Sequence, residues 1–215
     1  MPERKQTPSG RRVAPKRSTA NDGKLAEYHR KRDFTKTPEP QGGERRDGEP
    51  GFVIQHHLAT ADHYDFRLEV DGVLKSWAVP RGPSLDPAQK RLAVPTEDHP
   101  LDYAWFEGTI GEGEYGGGTV MVWDAGFYRN TTEHDGAALS MADGIGRGHV
   151  TFSLAGTKLA GGFALTRTRT EPKEQWILVK MRDANASTTR DPVKSAPKSA
   201  LSGRTMRQIA HASGD

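Results

Sequence analysis

The chain has no cysteine in 215 residues. That excludes a disulfide framework, a thiolate zinc site and a thiol nucleophile together, and it fits a reducing, cytoplasmic compartment. No run of 18 apolar residues occurs, so no membrane-spanning helix is expected. The N-terminal "MPERKQTPSGRRVAPKRS" is basic but lacks the apolar stretch of a secretory signal. Aromatic residues make up 7% and apolar residues 33%, with a mean hydropathy of −0.76. These values fit one domain with a modest core and solvated ends.

A strong excess of charge is also missing. The formal net charge is +3, and it is unevenly placed. Residues 1–20 carry six Lys/Arg against one acid and residues 183–215 five against three, which leaves the middle net acidic. Basic ends attract phosphate in a salt-sensitive way, but solvated tails have the same composition, so charge alone does not decide for DNA.

Residues 1–21 read as a disordered basic tail. In residues 22–50, "NDGKLAEYHRKRDF" predicts a short helix capped by Asn21 or Asp22, followed by the Pro/Gly-rich arm "TKTPEPQGGERRDGEPG". From Gly51 the pattern changes to "FVIQH", "HYDFRLEV", "VLKSWAV", "RLAVPTE", "GTVMVW", "HVTFSL", "FALTRT" and "QWILVKM". Each is short, rich in β-branched or aromatic residues, and bounded by Gly, Pro or Asp. Asp71-Gly72 signals a hairpin. The expected fold is mainly β, a compact antiparallel barrel of about eight strands over residues 51–182. Residues 183–215 read as a flexible tail with a possible short helix at 203–211.

Only 8 histidines are present, and "QHHLATADHYDFRLEV" holds three of them. Strand alternation puts His63, Asp65, Arg67 and Glu69 on one face and Tyr64, Phe66, Leu68 and Val70 on the other. Neighbours on the polar face stand roughly 6–7 Å apart. His57 ends the preceding strand. Two imidazoles and a carboxylate can ligate a divalent ion with open positions, and Arg67 would meet an anion bound there. A solvated sheet face has the same alternation, and His56, on the opposite face from His57, is expected at the surface. "PTEDHPLDYAWFEG" adds Glu97, His99 and Tyr103, an acid, an imidazole and a phenol of the kind phosphoryl transfer uses. "GEGEYGGGTV" lacks the Lys-Ser/Thr of a phosphate loop and reads as a glycine-rich turn.

In order, "HYDFRLE", "LKSWAVP", "GPSLDP", "KRLAV" and "EDHPLDYA" resemble the 3′-phosphoesterase domain of bacterial DNA ligase D, from about Tyr28 through "QWILVKM". The resemblance implies a barrel that processes DNA 3′ ends with a divalent ion, preferably manganese. Such a domain removes a terminal ribonucleoside and then the 3′-phosphate, leaving a 3′-hydroxyl. It implies His57, His63 and Asp65 as metal ligands and Arg67, His99 and Tyr103 as phosphate contacts. Gln55, Glu97 and Arg91 match supporting positions, Arg32, Asp33 and Glu39 match the arm, and Arg81 stands where lysine is common. His56 and Ala61-Asp62 depart from the family pattern by subtracting positive charge at the groove mouth. With no nucleotidyl-transfer lysine motif, the chain is expected to be a monomeric stand-alone module. It would work with a separate DNA ligase and end-joining factors. Two rival readings are a non-haem Fe(II) oxygenase built on His63-x-Asp65 and a non-catalytic module that recognises DNA ends.

Overall fold

The computed structural model describes residues 23–43 and 51–213. The expected basic tail and the capping residues Asn21 and Asp22 lie outside the described residues. The described chain opens with α1 (Ala26–Arg30), which starts after Leu25 without a side-chain cap. It continues with β1 (Gly51–Leu58), β2 (Asp62–Val70), β3 (Val73–Val79) and β4 (Arg91–Pro95), then a 3₁₀ turn at Leu101–Trp105. β5 (Gly108–Ile110), β6 (Gly118–Asn130) and the small hairpin of β7 (Glu133–His134) and β8 (Ala137–Ala138) follow. The rest comprises α2 (Met141–Arg147), β9 (His149–Gly156), β10 (Ala160–Arg169), β11 (Gln175–Lys180), α3 (Pro192–Ser195) and α4 (Met206–Ala212).

Eight strands close a barrel in the order β1-β2-β3-β4-β11-β10-β9-β6, with β6 pairing back onto β1. All pairs are antiparallel, so closure removes the free edges. These are the eight runs expected from the sequence, and β5 is an added strand on β6. Asp71 and Gly72 both take positive φ, as the β2–β3 hairpin requires. β6 is long because residues 119–127 pair with β1 and residues 126–130 pair with β9. At the changeover Gly126 leaves no room for a side chain, since a Cβ there would strike the Ala155 carbonyl.

The interior is apolar, packed with Ile54, Phe66, Leu68, Trp77, Trp123, Phe152, Phe163 and Trp176. A second cluster sits outside the barrel wall. Val53, Leu74, Val120 and Val122 of the strands are covered by Tyr28 of α1, Tyr103 of the 3₁₀ turn, Phe106 and Ile110. This covering layer decides the character of the site. The polar face of β1 and β2, which alternation alone would leave in solvent, is roofed by the N-terminal segment and the 3₁₀ turn.

Residues 183–213, expected as a flexible tail, lie packed along the barrel. Ala200 N–H donates to the Val122 carbonyl at 2.9 Å, and the Ala196 carbonyl accepts from Trp123 Nε1 and Lys158 Nζ, each at 2.9 Å. Ser199 donates to Glu107. The expected terminal helix is present as α4, started by a Thr205–Gln208 capping box and anchored by Ile209, which is 1% exposed. Ile209→Ala should cost about 2–5 kcal/mol, read as a lower urea midpoint with an unchanged slope.

Candidate active site

β1 and β2 face each other in a register that sets His57 directly opposite His63 and Gln55 opposite Asp65. The His57 and His63 rings lie 4.9 Å apart. Asp65 sits between them, with Oδ2 3.7 Å from His57 Nδ1 and Oδ1 3.6 Å from His63 Nε2. One ligand atom from each of the three falls within 4.8 Å of the others. Two observations fit this set to a metal. His57 Nε2 is buried without a hydrogen-bond partner. His63 Nδ1 lies 2.7 Å from the Ala61 carbonyl, so it carries the proton and leaves Nε2 as a free lone pair. The donor set, two imidazoles and one carboxylate, suits a divalent transition ion. Burial disfavours the Asp65 carboxylate, but Arg67 and the two imidazoles outweigh it and hold the carboxyl well below its usual range.

Arg67 is the centre of the arrangement. Its guanidinium donates from Nε to Gln55 Oε1 at 2.8 Å, from Nη1 to Ser76 Oγ at 2.8 Å, and from Nη2 to Asp65 Oδ2 at 3.0 Å. Nη1 also lies 2.8 Å from His99 Nδ1. Gln55, fully buried, passes the order on through its amide to the carbonyls of Tyr103 and Phe106. The candidate ligand cluster, Arg67 and the 3₁₀ turn are therefore one hydrogen-bonded unit.

His99 reaches the site because backbone bonds in both directions with Leu74 pin it beside β3. Its Nδ1 is 2.8 Å from the Glu97 carbonyl as well as from Arg67, and these contacts require opposite tautomers. Burial, followed by Arg67 and Arg32, pushes the His99 pKa well below the ordinary histidine value, so the ring is neutral. Tyr103 lies against it with ring centroids 4.7 Å apart, and burial keeps its phenol protonated.

The arm completes the wall. Arg32 donates from Nε to Glu39 at 2.8 Å and from Nη1 to Glu97 at 3.1 Å, and its Nη2 is 3.4 Å from His99 Nε2. Arg32 and Glu39 are almost fully buried side chains, and Thr37 donates to the other Glu39 oxygen at 2.8 Å. Burial raises the Glu97 pKa, but its hydrogen bonds and the Lys31 and Arg32 charges outweigh that and lower it.

Of the residues singled out from sequence, His57, His63, Asp65, Arg67, Gln55, Glu97, His99, Tyr103, Arg32 and Glu39 come together. Asp33 does not join them. It is exposed and turns the chain by accepting from Thr35 N at 3.1 Å and Thr35 Oγ1 at 2.6 Å. Arg81 is exposed in the loop after β3, and Arg91 on β4 donates to Gln89 at 2.6 Å. His56, expected at the surface, is half-buried. It stacks on Tyr64 with centroids 4.4 Å apart and meets Asp62 at 2.6 Å, so two of the departures from the family pattern pair with each other. Sequence reading missed Tyr28, Lys31, Ser76 and Tyr115. Tyr28 lies under Arg32, with Cζ 3.8 Å from the ring centroid, and Lys31 bonds Glu97 at 3.1 Å.

These ionisations set an acid limit on stability. His99 titrates lower in the fold than in the unfolded chain, so the unfolded chain takes up its proton first and stability falls as pH drops through about 6.5. The lowered Glu97 carboxyl contributes stability that is present above its ordinary value of 4.5 and lost as pH falls below it. Urea melts from pH 7.5 to 3 should show both stages. His99→Gln should flatten the first and leave the second, and an unchanged first stage would remove His99 as its source.

Residues 55–167 match the family described as the DNA ligase D 3′-phosphoesterase domain. The chain is 50% identical over 188 residues to the multifunctional non-homologous end joining protein LigD of Pseudomonas aeruginosa, covering 85% of this chain and 22% of that protein. It is 43% identical over 163 residues to the multifunctional non-homologous end joining DNA repair protein LigD of Mycobacterium tuberculosis, covering 74% and 20%. To LigD of Mycolicibacterium smegmatis it is 41% identical over 162 residues, covering 74% and 21%. The chain thus spans about a fifth of the length of these curated relatives. The match covers the strands that carry the histidine cluster and Arg67 and the segment that carries His99, and the chain belongs to the family of DNA ligase D 3′-phosphoesterase domains.

Proposed function

We propose that the chain is a metal-dependent DNA 3′-end-healing phosphoesterase. It would remove 3′-phosphates and terminal 3′-ribonucleosides to leave 3′-hydroxyl ends for a DNA ligase. One observation carries this reading: a three-ligand cluster shares Asp65 with a buried arginine that is itself locked to His99. Such a pairing places a cation and a fixed guanidinium on adjacent sides of one small space, which suits a phosphoryl group.

His57, His63 and Asp65 would hold the ion, with manganese preferred. When bound, it supplies Lewis-acid stabilisation of charge at the phosphoryl oxygens. Arg67 spends most of its N–H groups on Gln55, Ser76, Asp65 and His99 and keeps one for an anion. Tyr103, held as a phenol, donates to a second oxygen. With Nδ1 accepting from Arg67, the neutral His99 ring carries its proton on Nε2, and that N–H would serve either a phosphoryl oxygen or the departing 3′-oxygen, while the paired backbone bonds with Leu74 keep the imidazole in place. With no cysteine and no candidate serine pair, direct attack of water on phosphorus is favoured over a covalent intermediate, and the water gives up a proton as its oxygen bonds to phosphorus. The bond from phosphorus to the departing oxygen breaks, and that oxygen takes up a proton.

Support for hydrolysis over the oxygenase reading comes from the family match and from Arg67, whose bond to Asp65 suits an anionic substrate. The test uses two labelled duplexes, one ending in a 3′-phosphate and one in a 3′-ribonucleotide, with Mn²⁺ or with EDTA. Conversion to 3′-hydroxyl that stops in EDTA is the expected result. No conversion of either duplex would favour the end-binding module.

A further inference from the structure

The glycine-rich turn between β5 and β6 sits at the mouth of the site. Its backbone is held by two successive turns, Glu114 N–H to the Gly111 carbonyl at 3.2 Å and Gly117 N–H to the Glu114 carbonyl at 3.0 Å. Gly116 and Gly118 both take positive φ, and a side chain on Gly118 would strike the Leu58 carbonyl, so the turn lies flat against the end of β1. A Cβ on Gly116 would stand only 3.9 Å from His57 Cε1. The turn therefore runs beside the imidazole of His57, with room between them for about one side-chain carbon.

Between these glycines projects Tyr115. Its hydroxyl accepts from Lys31 Nζ at 3.0 Å and donates to Glu97 Oε2 at 3.4 Å. Lys31 Nζ lies 4.5 Å and Arg32 Cζ 5.5 Å from the ring centroid. The polar end is thus tied to the carboxylate that also holds Arg32, yet 47% of the residue is exposed. A large aromatic surface, fixed at both backbone and hydroxyl and beside the Lys31 cation, is thus left in water one position before Gly116.

We infer that Tyr115 is a stacking platform for the base of the terminal nucleoside at the DNA 3′ end. This rests on the end-processing reading proposed above. Every base offers a π-face, so stacking is tolerant of sequence, which suits repair of arbitrary ends. Because the ring is held before the ligand arrives, little ordering is lost on binding. Tyr115 would be a positioning and specificity residue that seats the terminal nucleoside while the cluster and Arg67 take its phosphate.

The experiment measures equilibrium binding in EDTA by fluorescence anisotropy, using duplexes with a 3′-phosphate on either an intact terminal nucleotide or an abasic one. Wild type should bind the intact end more tightly. Tyr115→Ala should weaken binding to the intact end about tenfold or more and leave the abasic end unchanged, and Tyr115→Phe, which keeps the ring but loses the hydroxyl tie, should retain most of the preference for the intact end. Equal loss on both ends, or no loss on either, would overturn the stacking role and leave Tyr115 as a prop for Lys31 and Glu97. A wild type with no preference for the intact end would overturn it as well. Phosphate release by wild type with Mn²⁺ on the same intact duplex tests the hydrolytic reading separately.

Discussion

His63→Ala is expected to lower phosphate release from a 3′-phosphate duplex by roughly two to three orders of magnitude, while the fold persists. His63 is only partly buried, and its single strong tie is Nδ1–H to the neighbouring Ala61 carbonyl, so its loss removes little packing. What it does remove is one of three ligand groups that lie within 4.8 Å of each other. The affected quantity is therefore ion affinity first and rate second. Raising Mn²⁺ should recover part of the activity, because His57 and Asp65 remain. Calorimetric titration of Mn²⁺ into wild type and variant checks the first half, and rates at two Mn²⁺ concentrations check the second. Wild-type activity in the variant would remove His63 from the ligand set.

Arg67→Ala should be the most damaging single change to stability near the site, about 3–5 kcal/mol. At the sensitivity of a domain of this size, that corresponds to a fall in Tm on the order of 10 °C. The loss of a charge is only part of the cause. Gln55 Oε1, Ser76 Oγ and Asp65 Oδ2 are buried acceptors that Arg67 satisfies together, and Asp65 would keep an uncompensated negative charge. Arg67→Lys should not rescue it, because one ammonium cannot reach Gln55, Asp65 and His99 in the geometry of a planar fork. Thermal melts of the three proteins decide this. Added Mn²⁺ should narrow the gap for Arg67→Ala, since a cation between His57, His63 and Asp65 neutralises the stranded carboxylate. A Lys variant with wild-type Tm would show that charge alone suffices.

The barrel was legible in the sequence because its strands are short alternating runs between Gly, Pro and Asp, and the period of two needs no long-range information. The same alternation put His63, Asp65 and Arg67 on one face. It could not show that this face is buried. Arg67 is 3% exposed and Gln55 0% because Tyr28, Tyr103 and Phe106 cover them, and those contacts join residues tens of positions apart. Lys31 and Tyr115 were invisible for that reason, with 66 positions between Lys31 and Glu97 and 84 between Lys31 and Tyr115. The C-terminal segment misled through composition. Several of its anchors to the barrel are main-chain amides and carbonyls, such as those of Ala196 and Ala200, which any residue could supply.

The pairing of β1 with β2 divides the site into two parts with different dependence on the fold. His57, His63 and Asp65 span nine positions of a single hairpin, so closing a very short loop is enough to bring them together. Arg32, Glu97, His99 and Tyr103 come from the arm, from the segment after β4 and from the 3₁₀ turn, and they converge only when the roof is seated. On the proposed reading, local opening that lifts the N-terminal segment would leave the His57–His63–Asp65 hairpin intact without the residues proposed to bind phosphate. Cation binding would then outlast catalytic competence, and the two should separate under mild denaturant before the barrel itself unfolds.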